Sequence, residues 1–199
     1  METVAAEECE TEVEKLGRLN QIYLAIISRY KEYIQEKESL SVAELPVLVT
    51  PKNEAVAKKV TEIKGCFDPY SYEKDFYPAC TNAFGFVKDD IAKIVLPLEF
   101  WLSPEETLTF MMGDMMDKNI LLCSLFVALG NPSAKVLVRI RDETFKAFVY
   151  FEFDEKFYAF DIDDGTKEFQ NKEAMIATLN IDDETTVYEF NNQTYLDIS

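Results

Sequence analysis

A side chain in the first turn of a helix feels the positive end of the helix dipole, which favours an anion such as a thiolate. The run Gly113-Asp114-Met115-Met116-Asp117 places Met115 at such a position. A thioether does not ionise, so Met115 reads as a flexible apolar filler. Cysteine catalysis also needs a base touching the thiol, to generate the nucleophile and later protonate the leaving group. The chain has no histidine. Cys123 lies eight residues beyond Met115, about 12 Å along a helix axis, and reads as a packed core thiol. Lys146 could form Schiff bases only if desolvated and neutral, and an acidic neighbour would keep it protonated. The turn Asp161-Ile162-Asp163-Asp164-Gly165 has the composition of a calcium loop but the wrong register: its fifth place is Gly165 and its twelfth Lys172, where an EF-hand needs an acid. It reads as an acidic turn at a strand end.

The elements that position these residues are legible from caps and periodicity. Ser103, Pro104 and Glu106 form a capping box with proline at the first helical position, and the short helix they open stops at Gly113-Asp114. A second helix spans Asp114 to Leu129, with Ile120, Leu121, Leu125, Ala128 and Leu129 as its apolar stripe and Gly130 as its cap. Beyond Pro132 the period becomes two. Val136, Val138 and Ile140 mark one strand, and Phe145 to Phe153 a second with Phe145, Ala147, Val149, Phe151 and Phe153 on its core face. Phe157 to Asp161 is a third, Lys172 to Leu179 a short helix, and 187–198 a closing hairpin.

The run Gly113-Asp114-Met115-Met116-Asp117, with Leu121-Leu122-Cys123-Ser124-Leu125 and Ala128-Leu129-Gly130 after it, resembles the core of the transglutaminase-like (papain-like) superfamily, whose pattern is Gly-Asp-Cys-x-Asp. Phe145-Lys146-Ala147-Phe148-Val149 is similar to the family's His-Ala-Trp-Val strand, and Lys156-Phe157-Tyr158-Ala159-Phe160-Asp161 to its Lys-Trp-Tyr-x-x-Asp strand. The resemblance covers roughly 82–165. It implies that Met115, Lys146 and Asp161 hold the positions of the catalytic cysteine, histidine and aspartate. Only the aspartate is retained. The chain is therefore expected to be a catalytically dead member, with Lys146 in ionic contact with Asp161 beside Met115; a cleft filled by Met115 and Phe148 would favour that reading, and an intact polar cleft with converging titratable groups would favour an enzyme. The alternative is an enzyme, such as a hydrolase, that uses a different mechanism in the same cleft.

Upstream, residues 5–38 read as one amphipathic helix. Leu16, Leu19, Tyr23, Ile26, Tyr30 and Tyr33 follow spacings of 3, 4, 3, 4 and 3, a heptad-like seam that must pack on its own domain, a partner or a second copy. Leu45 to Val49 reads as an extended connector. Thr50-Pro51 reads as the start of a helix ending at Gly65, Cys66 to Pro78 as an aromatic-rich loop, and Thr81 to Ile91 as a further helix.

Composition bounds the partners. A hydrophobic content of 48% supports a sizeable core, and 37 acidic against 20 basic residues, a formal charge of −17, disfavour nucleic acid and anionic membrane. Residues 151–199 alone hold 13 acidic and 3 basic side chains, a net of −10. No apolar run reaches the ~18 residues of a membrane span, and Met1 to Glu10 shows no leader pattern. Cys9, Cys66, Cys80 and Cys123 form no Cys-x-x-Cys pair, so reduced thiols in a cytoplasmic protein are expected, although Cys66 and Cys80 could close a disulfide. The expected architecture is α+β: a helix bearing the former nucleophile position, packed on an antiparallel sheet, within a 50–199 domain preceded by a long helix and connector over 1–49. No cofactor or metal is expected. A protein partner, or self-association through the N-terminal helix, is.

Overall fold

The computed structural model describes residues 12–38, 41–95, 100–142 and 144–198. Helix α1 (Glu12–Glu38) belongs to one compact unit, and a second unit comprises Leu40–Val95 and Trp101–Ser199. Residues 5–11 of the expected first helix lie outside the described residues. Along α1, the seam Leu16, Leu19, Tyr23, Ile26, Tyr30 and Tyr33 is 40–63% exposed.

The second unit begins with a 3-10 helical turn, Val42–Leu48, rather than an extended connector. The reason is local: Glu44 accepts hydrogen bonds from the Ser41 N–H and hydroxyl, each at 2.8 Å, a capping box that starts the turn and lets Leu45 bury completely. Helix α2 (Glu54–Lys64) is capped by Asn53, whose Oδ1 accepts from the Ala55 N–H, and not by Thr50. The expected aromatic loop is largely helix α3 (Tyr72–Gly85), with Pro78 inside it. An interior proline costs about 3 kcal/mol, yet Tyr72 and Phe76 pack edge-on against Phe153 and Phe151, and Tyr77 packs tilted against Tyr158, and that burial outweighs the lost backbone bond. Cys80 is consequently buried in α3 while Cys66 is exposed, and both are free thiols. A π-helical turn, Phe86–Asp90, takes the place of the second half of the expected Thr81 to Ile91 helix.

Strand β1 (Ala92–Lys93) pairs in parallel with β2 (Met112–Gly113), and between them runs α4 (Pro104–Phe110), opened by the Ser103–Glu106 capping box and closed by Met111 in the left-handed region. Helix α5 (Met115–Leu129) follows, capped by Asp114 and ending at Gly130. It is not an amphipathic surface helix. Residues 116–126 are all buried, because α2, α3 and α4 flank it on one side and a sheet on the other.

That sheet is antiparallel, with strands in the order β6-β5-β4-β3-β7-β8. They are β3 (Lys135–Arg141), β4 (Thr144–Phe153), β5 (Lys156–Asp161), β6 (Gly165–Phe169), β7 (Thr185–Phe190) and β8 (Tyr195–Asp197). Strand β6 was not anticipated: the acidic turn after Asp161 folds back as a hairpin, pairing Asp161 with Gly165. On the inner face Val136, Val138, Ala147, Val149, Phe151 and Phe160 join the α5 core, whereas Phe145, expected there, is 37% exposed near the strand's start. The outer face is covered too. Leu137, Phe148, Tyr150, Ala159 and Val187 pack with Met175 of α6 (Lys172–Ala177) and Leu179. Helix α6 is fastened by buried Glu189, which binds Lys172, Lys135 and the Tyr150 hydroxyl, each at 2.6 Å. Desolvation alone would raise the Glu189 pKa, but the hydrogen bonds from Lys135, Lys172 and Tyr150 hold it below the usual glutamate value.

The architecture is α+β, with the Met115 helix packed on an antiparallel sheet, as the sequence led us to expect. Gly113 is fixed by close approach: a Cβ there would lie 2.8 Å from Asp117 Cβ and 3.3 Å from Thr107 Cγ2, whereas one on Gly17 meets nothing within 4 Å. Gly113→Ala should therefore lower stability by about 1–3 kcal/mol in urea melts, while Gly17→Ala, in the middle of α1, should cost nothing and raise helicity.

Candidate functional site

The first turn of α5 supports itself through side chains. Asp114 Oδ1 accepts the Asp117 N–H at 2.9 Å and Asp117 Oδ2 accepts the Asp114 N–H at 2.8 Å, the reciprocal pair of a capping box. Asp117 Oδ1 also accepts the Leu102 N–H at 2.7 Å, tying the approach to α4 onto this turn. Asp117 is fully buried, and burial, reinforced by the neighbouring Asp114, raises its pKa against the pull of the two N–H bonds. The aspartates that made this stretch look catalytic are thus occupied in holding backbone.

Met115 heads the helix and is half-buried. Its carbonyl accepts from Asn119 Nδ2 at 2.8 Å, and the same Nδ2 lies 3.3 Å from the Ala147 carbonyl on β4. The start of α5 is thereby linked to the strand that carries Lys146. Burial disfavours the thiolate at both buried cysteines. Burial pushes the Cys123 thiol up to about 12 and the Cys80 thiol well above its ordinary value.

Lys146 and Asp161 do meet, with Nζ 3.6 Å from Asp161 Oδ2. A closer partner is Asp164, at 2.5 Å, which the sequence reading did not assign. The hydrogen bond to Asp164 is the main cause of the raised Lys146 pKa; partial burial opposes it and Asp161 adds to it. Asp161 Oδ1 meanwhile accepts the N–H groups of Asp163 and Asp164, at 2.9 and 3.0 Å, so the acidic turn is closed by its own side chain.

The two sides of β4 separate these groups. Ala147, Val149 and Phe151 point towards α5, while Lys146, Phe148 and Asp161 line a cavity of about 270 Å³ on the outer face, a cavity that does not include Met115. Phe148 accordingly packs beneath α6, on the opposite side of the sheet from α5, and does not fill a cleft at Met115. Lys118 was missed by sequence reasoning. It is 2% exposed, and its Nζ donates to the carbonyls of Lys88, at 3.1 Å, and Ile91, at 2.8 Å. Its signal was available as a charged residue inside a helix otherwise too apolar for a surface. Arg139 was missed as well, and its only signal was a cation on the face of β3 opposite Val138.

No family model and no curated protein matches the chain. Among solved structures it is similar to calcium-bound LapG of Legionella pneumophila, at 14% identity and a TM-score of 0.43 over 71% of this chain and 87% of that one. A candidate cysteine protease from Cytophaga hutchinsonii gives 15% identity and a TM-score of 0.45 over 83% of this chain and 58% of the other. A candidate protease from Parabacteroides distasonis gives 13% and 0.46 over 78% and 30%. Likenesses of this size assign the chain no activity.

Lys146 is 48% exposed, so its ion pairs are screened by solvent and contribute at most about 1 kcal/mol. Lys146→Met should shift the urea midpoint only slightly, and Lys146→Met with Asp161→Leu by a similarly small amount. A loss of several kcal/mol for the single variant, reversed in the double, would mean a buried pair.

Proposed function

We propose that this chain is a non-catalytic binding or scaffolding module whose contact surface is the apolar seam of α1. The observation that carries the reading is the seam itself: Leu16, Leu19, Tyr23, Ile26, Tyr30 and Tyr33 repeat at heptad spacing along a 27-residue helix and are exposed on it. At 1.5 Å per residue that helix is about 40 Å long, enough for a sustained coiled-coil contact. A continuous apolar stripe of that kind marks an interaction surface more often than an accident of composition.

The chemistry of the second unit supports the absence of catalysis. A chain without histidine has no imidazole base, the helix-start position holds a thioether, and Lys146 is kept protonated by two carboxylates. The partner is a protein helix or a second copy of this one, and a cytoplasmic setting with reduced thiols suits such a module.

Sedimentation and light scattering of the full chain test this reading. The expected result is a dimer that Ile26→Asp converts to a folded monomer, since a charge in an apolar seam is costly to bury. The same preparation should release no ammonia from glutamine peptides and cleave no peptide substrate. A monomer indifferent to Ile26→Asp would contradict the interface, and turnover by the wild-type chain would contradict the rest.

A further inference from the structure

The outer face of the sheet holds a feature that neither a degenerate triad nor a helical interface requires. Arg139 on β3 and Lys146 on β4 are direct cross-strand partners, so their side chains share one face. Like charges placed opposite each other in this way are destabilising. Lys146 is relieved by Asp164 and Asp161. Arg139 feels the charge of Asp182, but its Nε is buried and has no hydrogen-bond partner among the described residues. An unsatisfied buried donor of this kind is uncommon in a native fold and points to an acceptor supplied from elsewhere.

The space beside it suits a ligand. Arg139 and Lys146 line a cavity of about 270 Å³, whose apolar wall is Phe148, Ala159, Phe169, Met175 and Leu179. Helix α6, held down by Glu189 through Lys172, supplies Met175 to that wall, so the far side of the space is structurally fixed. The lining carries three cations, Arg139, Lys146 and Lys167, against two carboxylates, Asp161 and Asp164, a local charge of +1 in a chain of −17. Small-molecule sites have this composition: a largely apolar concavity with a few converging polar groups.

We infer that this cavity binds a small carboxylic acid with an apolar body, its carboxylate seated on the Arg139 guanidinium. The donor left over on Arg139 matches a single carboxylate. The planar fork of arginine presents Nε and an Nη to the two oxygens of a carboxylate at once. With a water occupying roughly 30 Å³, the volume accommodates a ligand of on the order of ten non-hydrogen atoms, the size of a medium-chain acid. The same chemistry is found at the C-terminus of a polypeptide with an apolar last residue. The small size of the cavity favours the free acid.

Calorimetric titration of the full chain with octanoate, octanol, octylamine and acetyl-Gly-Gly-Leu tests the assignment. Octanoate is expected to saturate one site, at least about tenfold more tightly than octanol or octylamine, as a buried charge-assisted pair requires. Arg139→Gln should weaken octanoate by a similar factor and leave octanol unchanged. The comparison of octanoate with octanol on the wild-type chain decides the matter without the variant, should Arg139→Gln fail to fold. Octanoate binding no tighter than octanol, or no saturation at millimolar concentration, would overturn the site. Tighter binding of acetyl-Gly-Gly-Leu would overturn the free acid in favour of a polypeptide C-terminus.

Discussion

A helix enclosed by protein must satisfy the polar groups of its own turns without water, and α5 is enclosed over residues 116–126. Its charged and polar side chains are therefore structural. Asp114 and Asp117 cap the helix reciprocally, and Asp117 reaches on to the Leu102 N–H. Lys118 spends its ammonium on the carbonyls of Lys88 and Ile91, at the end of the π-helical turn, where helix carbonyls otherwise lack partners. Ser124 accepts the Thr50 N–H and donates to the Ile120 carbonyl, pinning the entry to α2. The bonds to Leu102, to Lys88 and Ile91, and to Thr50 each join a different segment to this helix, so the surrounding elements take their places from it. The closeness of Gly113 to Asp117 follows from the same crowding.

The local signals in the chain were readable where they are self-contained. The Ser103–Glu106 box, Gly130 and the alternation from Val136 to Val138 and from Ala147 to Phe151 all rest on a few neighbouring residues, and the structure has them where they were expected. What could not be read depends on distant partners. Pro78 sits inside α3 because Phe76 and Tyr77 find Phe151 and Tyr158 more than seventy residues away. The burial of Phe148 and Tyr150 on the outer face depends on α6, which the period of β4 does not announce. Similarly, the weakly apolar Gly165–Phe169 becomes a strand only because β5 offers an edge to pair with.

At the candidate site the expected approach of Lys146 to Asp161 is present, but not beside Met115. Lys146 and Asp161 meet because adjacent antiparallel strands bring them together, and Asp164 joins them through the turn that Asp161 itself closes. Alternation along β4 then sets Lys146 on the face away from α5, while Ala147 beside it touches Asn119 of α5. Residues that one motif groups together thus serve two separate surfaces: the Asp-x-x-Asp turn organises the core, and the lysine and its acids border an outer cavity.

Helix α5 and its buried polar groups are expected to hold the second unit together as one cooperative body. Native-state hydrogen exchange measures this directly, because the most protected amides open only when the whole structure unfolds. The amides of Ile120 to Phe126 should exchange with the same free energy as those of Val149 and Phe151 on β4, and that value should equal the global stability from urea melts. Exchange of the α5 amides through local opening, at a free energy well below that of β4, would contradict it.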